Sequence, residues 1–343
     1  MDRRRLILGG GAAIALLSVA GEGRGATKIT ITSVGDGFHF FPVYVARGAG
    51  FFGEEGLEVD WVNANSGTRQ AASVMGGSAE MAPLALLHCI KSQAEGADLV
   101  AFATVLMDWP MTVVLSNDAI KKTGIDLAMP IDEKVKRLAG LQLGITSPGS
   151  STDVAIRTML LARGMDPDKS LKLQPLGQGA SILAAFEKKL TDGFVFAAPA
   201  PEMAEAKGLG RIVINPLAGE VPEQVDVPYA IMATSRDTWA KKPEVIRGAA
   251  RALAKSFKFT HEKPAETRAV MRKYFPDIDE PIFDRIVATY AEAVPKTPVI
   301  TAEQVAKTAK FMSIGAGHEV RAKYDSVVLS GPAEAAAKEI LNG

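Results

Sequence analysis

A single cysteine, Cys89, stands among the 343 residues, so no disulfide can close within the chain. Its place in the apolar run APLALLHCI (82–90) reads as a buried, inert thiol. Histidine is also scarce: the four, at positions 39, 88, 261 and 318, show no metal-ligand spacing, and neither HExxH nor CxxC occurs. No GxxxxGK[ST] loop is present, and GQG at 177–179 lacks the rest of a dinucleotide fingerprint. GITSPG (144–149) has one residue too many between its first glycine and serine for a nucleophile elbow. The 39 basic and 39 acidic residues cancel, which leaves no positive field for nucleic acid. These absences weigh against metalloenzyme, nucleotide-dependent and serine-hydrolase chemistry.

What is present begins with an export signal. MDRRRLILGGGAAIALLSVAGEGRGA sets three arginines ahead of an apolar stretch from Leu6 to Ala20, with small residues for cleavage near Ala20 or Ala26. The stretch is too short for a membrane span, and no cysteine follows it to carry a lipid. Arg3, Arg4, Leu6 and Ile7 loosely fit a twin-arginine pattern, so either the general or the twin-arginine route suits it. Removing residues 1–26 takes four arginines and two acids from the balanced count and leaves a charge of −2.

The remaining length exceeds one ordinary core, and strand and helix patterns alternate almost to residue 215, which predicts two α/β lobes. In the first, strands are expected near 28–34, 57–62, 79–82 and 98–105, with helices near 42–52, 67–76 and 83–95. MTVVLSN (111–117) is expected to carry the chain across. In the second, strands are expected near 141–146, 171–175, 193–197 and 211–215, with helices near 151–163, 179–189 and 199–207, and PYAIMATS (228–235) crosses back. Four helices follow, over 242–263, 264–275, 281–294 and 301–317, expected to wrap the first lobe and brace the hinge. The organisation is thus 27–115 plus 229–343 for lobe 1 and 116–228 for lobe 2. A loose echo between VMGGSAEMAPLAL (74–86) and FEKKLTDGFVFAAPAPEMA (186–204) fits two similar lobes without proving duplication.

The most telling segment is FFPVYVARGAGFFGEEGLEVDW (40–61), a helix-turn-strand unit with Pro42 in its first turn, where a missing N–H costs nothing. ARGAGFFGEEGLEV (46–59), the strand KITITSV (28–34) before it and VMGGSAEMA (74–82) after it resemble the first lobe of periplasmic substrate-binding proteins for sulfonates, taurine and nitrate, a family related to thiamine-pyrimidine synthases. The resemblance covers residues 28–115. It implies a type II periplasmic binding protein: two lobes, each an open mixed sheet flanked by helices, with a small organic solute and an inner-membrane ABC permease as partners. It implies no cofactor, no catalysis and a monomer.

Ligand-facing residues are expected at the carboxyl ends of strands. In GDGFHF (35–40) these are Phe38, His39 and Phe40, although aromatics at helical spacing also read as core. Asn65, Ser66 and Thr68 precede a small-residue helix, where Arg69 could neutralise an anion, although a long basic side chain reads first as a solvated cation. Pro83 and Leu84 follow the third strand, Trp109 and Tyr229 stand at the two crossings as apolar walls, and Pro199 follows GFVFAA. In LQLGITSPGSSTDVAIRTMLLARG (141–164) a strand stops at a Ser/Pro/Gly loop and a helix starts at once. Ser147, Ser150, Ser151 and Thr152 there offer hydroxyls and free N–H groups to an anionic headgroup. The bland alternative makes Ser150 a helix cap with Asp153 three residues on, and that carboxylate would repel an anion.

The expected function is capture of a small organic anion (sulfonate, taurine-like or aromatic carboxylate) between two lobes in the periplasm, for delivery to an ABC importer. Two alternatives stay open. One is a ligand-sensing periplasmic subunit. The other is an enzyme like the related pyrimidine synthases, which use a histidine of their own chain and bound pyridoxal phosphate; His39 lies in a comparable loop, but their cysteine-rich motif is missing.

Overall fold

The computed structural model describes residues 25–341 except Asp36 and Asp226. The expected export signal falls on residues outside this range, apart from its last two positions. The described chain contains two five-stranded sheets. The first joins β1 (Thr27–Ser33), β2 (Leu57–Asn63), β3 (Met81–Ala85), β4 (Val100–Leu106) and β10 (Ala230–Thr234) in the order β2-β1-β3-β10-β4. The second joins β5 (Thr112–Ser116), β6 (Gln142–Ile145), β7 (Lys172–Pro175), β8 (Gly193–Phe196) and β9 (Gly210–Ile214) in the order β7-β6-β8-β5-β9.

The orders are equivalent. Each sheet takes three strands in the pattern second-first-third and inserts one antiparallel strand before the last, β10 in one and β5 in the other. The chain crosses between the sheets just before β5 and returns just before β10, which ties the halves together twice. β5 pairs only with β8 and β9, so the sheets divide ahead of Thr112 and not at the expected 115–116 boundary. Strands β3, β4, β8 and β10 are buried along their whole length, which explains their unbroken apolar runs.

The helices that matter for the site are α1 (Phe41–Gly48), α2 (Gly67–Met75), α3 (Leu87–Ala94), α4 (Ser151–Leu161), α5 (Gly179–Glu187), α6 (Ala200–Ala206), α7 (Pro243–Glu262), α8 (Pro264–Arg272), α9 (Glu280–Glu292) and α10 (Ala302–Ala316). Two expected helices need correction. The one expected over 42–52 stops at Gly48, and a separate turn, Phe51–Glu54, begins after Gly50, whose φ of +84° breaks the helix. The one expected over 83–95 begins at Leu87, because Pro83 lies inside β3 opposite Met232.

Pro83 also shapes the sheet. Lacking an N–H it cannot extend the ladder to β1, and the two strands are paired only at Ile31 and Met81. Beyond that point Gln70 Nε2 fills the gap, donating to the carbonyls of Thr32 (2.8 Å) and Pro83 (3.0 Å). The C-terminal helices cover the first sheet: α7 buries Leu253 and Phe257 and is held to the turn after α1 by Arg251–Glu55 (2.6 Å) and Lys255–Glu55 (2.7 Å). Helix α10 reaches the second lobe, with Gly315 close enough to α4 that a Cβ there would lie 2.8 Å from Thr158 Oγ1.

Candidate functional site

Loops at the carboxyl ends of β1, β3, β6 and β8 converge on a tight cavity of about 30 Å³ between the two lobes. One lobe supplies His39, Phe40, Gln70, Leu84 and His88; the other supplies Thr146, Ser150, Ser151, Thr152 and Phe196. Tyr229, just before β10, completes the wall at the crossing beside Ser151. No lysine or arginine lines the cavity.

Two imidazoles dominate its polar surface. His39 and His88 are both buried, and neither His39 Nδ1 nor His88 Nε2 has a hydrogen-bond partner among the described residues. Burial pushes the His39 imidazole down to about 3; burial, helped by the Lys91 charge, pushes His88 down to about 4. Both rings are therefore neutral near pH 7. Gln70 Oε1 is a third unpartnered buried polar atom in the same wall. Gly67 is required opposite His88, since a Cβ at that position would lie 2.8 Å from Nε2.

The start of α4 supplies the hydroxyls. Ser150 is the N-cap residue, but its side chain does not cap; its Oγ lies 2.9 Å from Thr152 Oγ1, which accepts from Thr146 N–H at 3.0 Å. Asp153 takes a role different from the capping box considered above. Its Oδ2 accepts from Gly149 N–H (2.8 Å) and its Oδ1 from Arg157 Nε (2.7 Å), so its charge is compensated on the side away from the cavity lining. The first-turn N–H groups of α4 have no intrahelical acceptor, as at any helix start.

Of the residues expected from sequence, His39, Phe40, Ser150, Ser151, Thr152 and Tyr229 meet in this cavity, and Leu84 joins them. The others fall elsewhere. Phe38 stacks on Phe275 (4.3 Å between centroids) and belongs to the aromatic core, although its N–H reaches Ala198 O across the lobes at 3.0 Å. Ser66 caps α2, accepting from Arg69 N–H, while Asn65, Thr68 and Arg69 are exposed. Pro83 is a strand residue, and Ser147 sits in the loop before α4 with its Oγ unpartnered and off the cavity wall. Trp109 is buried against Tyr229 (5.3 Å) and Phe311 (4.5 Å), joining the two crossings instead of lining the cavity. Pro199, after a cis Ala198–Pro199 bond, lines a separate outer groove.

Gln70, His88, Met111, Thr146 and Phe196 were not anticipated as cavity residues. His88 lay within a run read as continuous apolar helix, and Gln70 is distinguished only by the broken β1–β3 ladder. Phe196 had a signal, since it ends the strand before Pro199. Cys89 is buried as expected, with its thiol pushed up by desolvation.

Behind the β8 end lies a buried titratable pair. Tyr290 Oη accepts from Ala198 N–H (3.3 Å), and the nearby Glu202 has an unpartnered Oε2 and a carboxyl pushed up to about 7 by burial. Among the described residues, no group of three or more potential metal ligands occurs and no helix is long and apolar enough to cross a membrane.

Comparison with known proteins places this arrangement. YtlA of Bacillus subtilis (strain 168) is 23% identical over 266 residues, covering 77% of this chain and 75% of its own. The zinc-bound ligand-binding component of an ABC-type import system from Staphylococcus aureus superposes with a TM-score of 0.70 at 14% identity, over 92% of this chain and 99% of that one. The alkanesulfonate-binding protein SsuA from Xanthomonas axonopodis pv. citri, bound to MOPS, gives 0.68 at 14% identity, over 90% and 99%. The fold is thus that of the substrate-binding proteins of ABC importers, as the sequence resemblance implied. Residues 32–274 match one family throughout, and the chain belongs to the NMT1-like family.

Proposed function

We propose that the protein is an exported, monomeric solute-binding component of an ABC importer, closing its two lobes over a small organic monoanion. The observation that carries this reading is the two-sided cavity: His39, Phe40, Gln70 and His88 of one lobe face Thr146, Ser150, Ser151, Thr152 and Phe196 of the other. A ligand touching both walls binds the closed arrangement better than the open one, so closure follows from differential affinity and needs no chemistry.

The headgroup belongs at the start of α4, where hydroxyls and helix N–H groups favour negative charge. With no basic side chain in the lining, a sulfonate or carboxylate suits this position better than a dianion, whose second charge would lack a counter-ion. Phe40, Leu84, Met111, Phe196 and Tyr229 offer apolar surface to the organic body.

A thermal-shift screen of the mature chain, from about Thr27, tests this against taurine, alkyl sulfonates, nitrate, aromatic carboxylates and thiamine precursors, with pyridoxal phosphate included. A ligand at 100 times its Kd adds about 2.7 kcal/mol. Stabilisation by an organic monoanion, with a smaller radius of gyration in solution scattering, is the expected result. A response to pyridoxal phosphate alone would replace transport with the enzyme reading.

A further inference from the structure

The inner cavity is not the only space between the lobes. An apolar groove of about 370 Å³ runs between α5 and α6 of the second lobe and the segment after α8, Tyr274–Ile278, of the first. Phe196 is the one residue that lines both spaces. On the cavity side its ring receives the His39 imidazole edge-to-face, at 5.8 Å and 80°. On the groove side the start of α5 lies against it so closely that a Cβ at Gly179 would come 2.5 Å from the ring. One aromatic ring therefore faces both the polar cavity and the groove.

We propose that the groove is the second half of the ligand site and takes an uncharged alkyl or aryl tail of the solute, which passes where the Phe196 ring now stands. The assignment rests on the proposed binding of a headgroup in the inner cavity and extends it from a small anion to an amphiphile. Three features support it. The groove and the cavity share one lining side chain, Phe196. Its walls, including Leu183, Met203, Phe275 and Ile278, are apolar, so an alkyl or aryl tail is buried there at a gain. Its charged lining residues, Glu187 and Asp277, are both acidic, which disfavours a tail ending in a second anion. Because both lobes line the groove, tail binding also favours their contact.

The test is isothermal titration of the mature chain with two series, alkyl sulfonates and primary alcohols, each from one to eight carbons. It uses the wild type, Ala184→Glu on the exposed groove rim, and Phe196→Ala. The expected result is a rise in sulfonate affinity of roughly 4-fold per methylene beyond butyl. Ala184→Glu flattens that rise while leaving the methyl and ethyl members unchanged, and Phe196→Ala steepens it. An equal rise in wild type and Ala184→Glu, or no rise at all while methyl sulfonate binds, overturns the tail site. If sulfonates of every length fail but octanol binds with Ala184-sensitive affinity, the tail site stands and the anionic headgroup falls. If neither series binds, the tail site falls.

Discussion

Two buried neutral imidazoles in one cavity should make stability depend on pH in a defined window. His39 at about 3 and His88 at about 4 both lie below the unfolded value of 6.5. The unfolded chain therefore binds more protons between those limits, and stability falls as the pH drops below 6.5. From pH 7.5 to 5.0, each imidazole forfeits about 2 kcal/mol, or about 4 kcal/mol for the pair. Glu202 works in the opposite sense. Its carboxyl is raised from 4.5 to about 7, so acidification to pH 5.0 relieves an unfavourable ionisation and returns roughly 2 kcal/mol. The wild type alone would thus show a muted change.

The assay is a difference. Urea unfolding of the wild type and of the double variant His39→Gln/His88→Gln is measured at pH 7.5 and 5.0, with linear extrapolation at each. The wild type should lose about 4 kcal/mol more than the variant on acidification. Identical pH changes in the two proteins would refute burial of neutral histidines and, with it, the polar character assigned to the cavity wall.

Other substitutions probe the surrounding architecture. Trp109→Ala should cost about 3–5 kcal/mol by emptying the space between the crossings, whereas Trp109→Phe should cost less, because Trp109 Nε1 has no partner to lose; denaturant midpoints distinguish the two. Arg163, with a side chain only 6% exposed, bonds Glu223 at 2.7 Å, and Arg163→Ala should destabilise by about 3–5 kcal/mol because it strands that buried carboxylate. Tyr229→Phe removes a hydroxyl from the cavity wall beside Ser151, so it should weaken affinity for the solute identified by the screen about 2–10-fold.

Much of the fold was legible because its signals are local. Apolar runs marked the strands, and helices α7 to α10 begin where Pro243, Pro264, Pro281 and the Thr301–Gln304 capping box announce them. The boundary errors have local causes that depend on pairing: Pro83 reads as a helix start until its place opposite Met232 is known. The site was half legible. Loop hydroxyls before α4 advertise themselves by the strand-to-helix transition, but His88 and Gln70 reach the cavity from helices whose sequences look like ordinary packing. A buried polar residue on a helix becomes a site candidate only when its partner atoms can be counted, and Gln70 Oε1 and His88 Nε2 have none among the described residues. Phe38 failed for the converse reason, since alternation along the chain cannot say which of two neighbouring aromatics turns to the core.

The contacts that span the lobes suggest how the proposed closure would be balanced. Asn63 Nδ2 donates to Gln178 Oε1, Phe38 N–H to Ala198 O, and Ala198 N–H to Tyr290 Oη. At about 1 kcal/mol net for a typical protein hydrogen bond, these three contribute only a few kcal/mol to the contact state. That is comparable to the stabilisation a ligand supplies at modest excess over its Kd. Apolar packing between the lobes, such as α10 on α4, adds to these bonds, and a ligand in a cavity walled from both sides would favour the contact state further. Ala198 is central to that balance, because its N–H and carbonyl both bond across the lobes, one to Tyr290 of α9 and the other to Phe38, next to the cavity histidine. A shift in the backbone between Phe196 and Ala198 would alter the ligand wall and two of the three spanning bonds together.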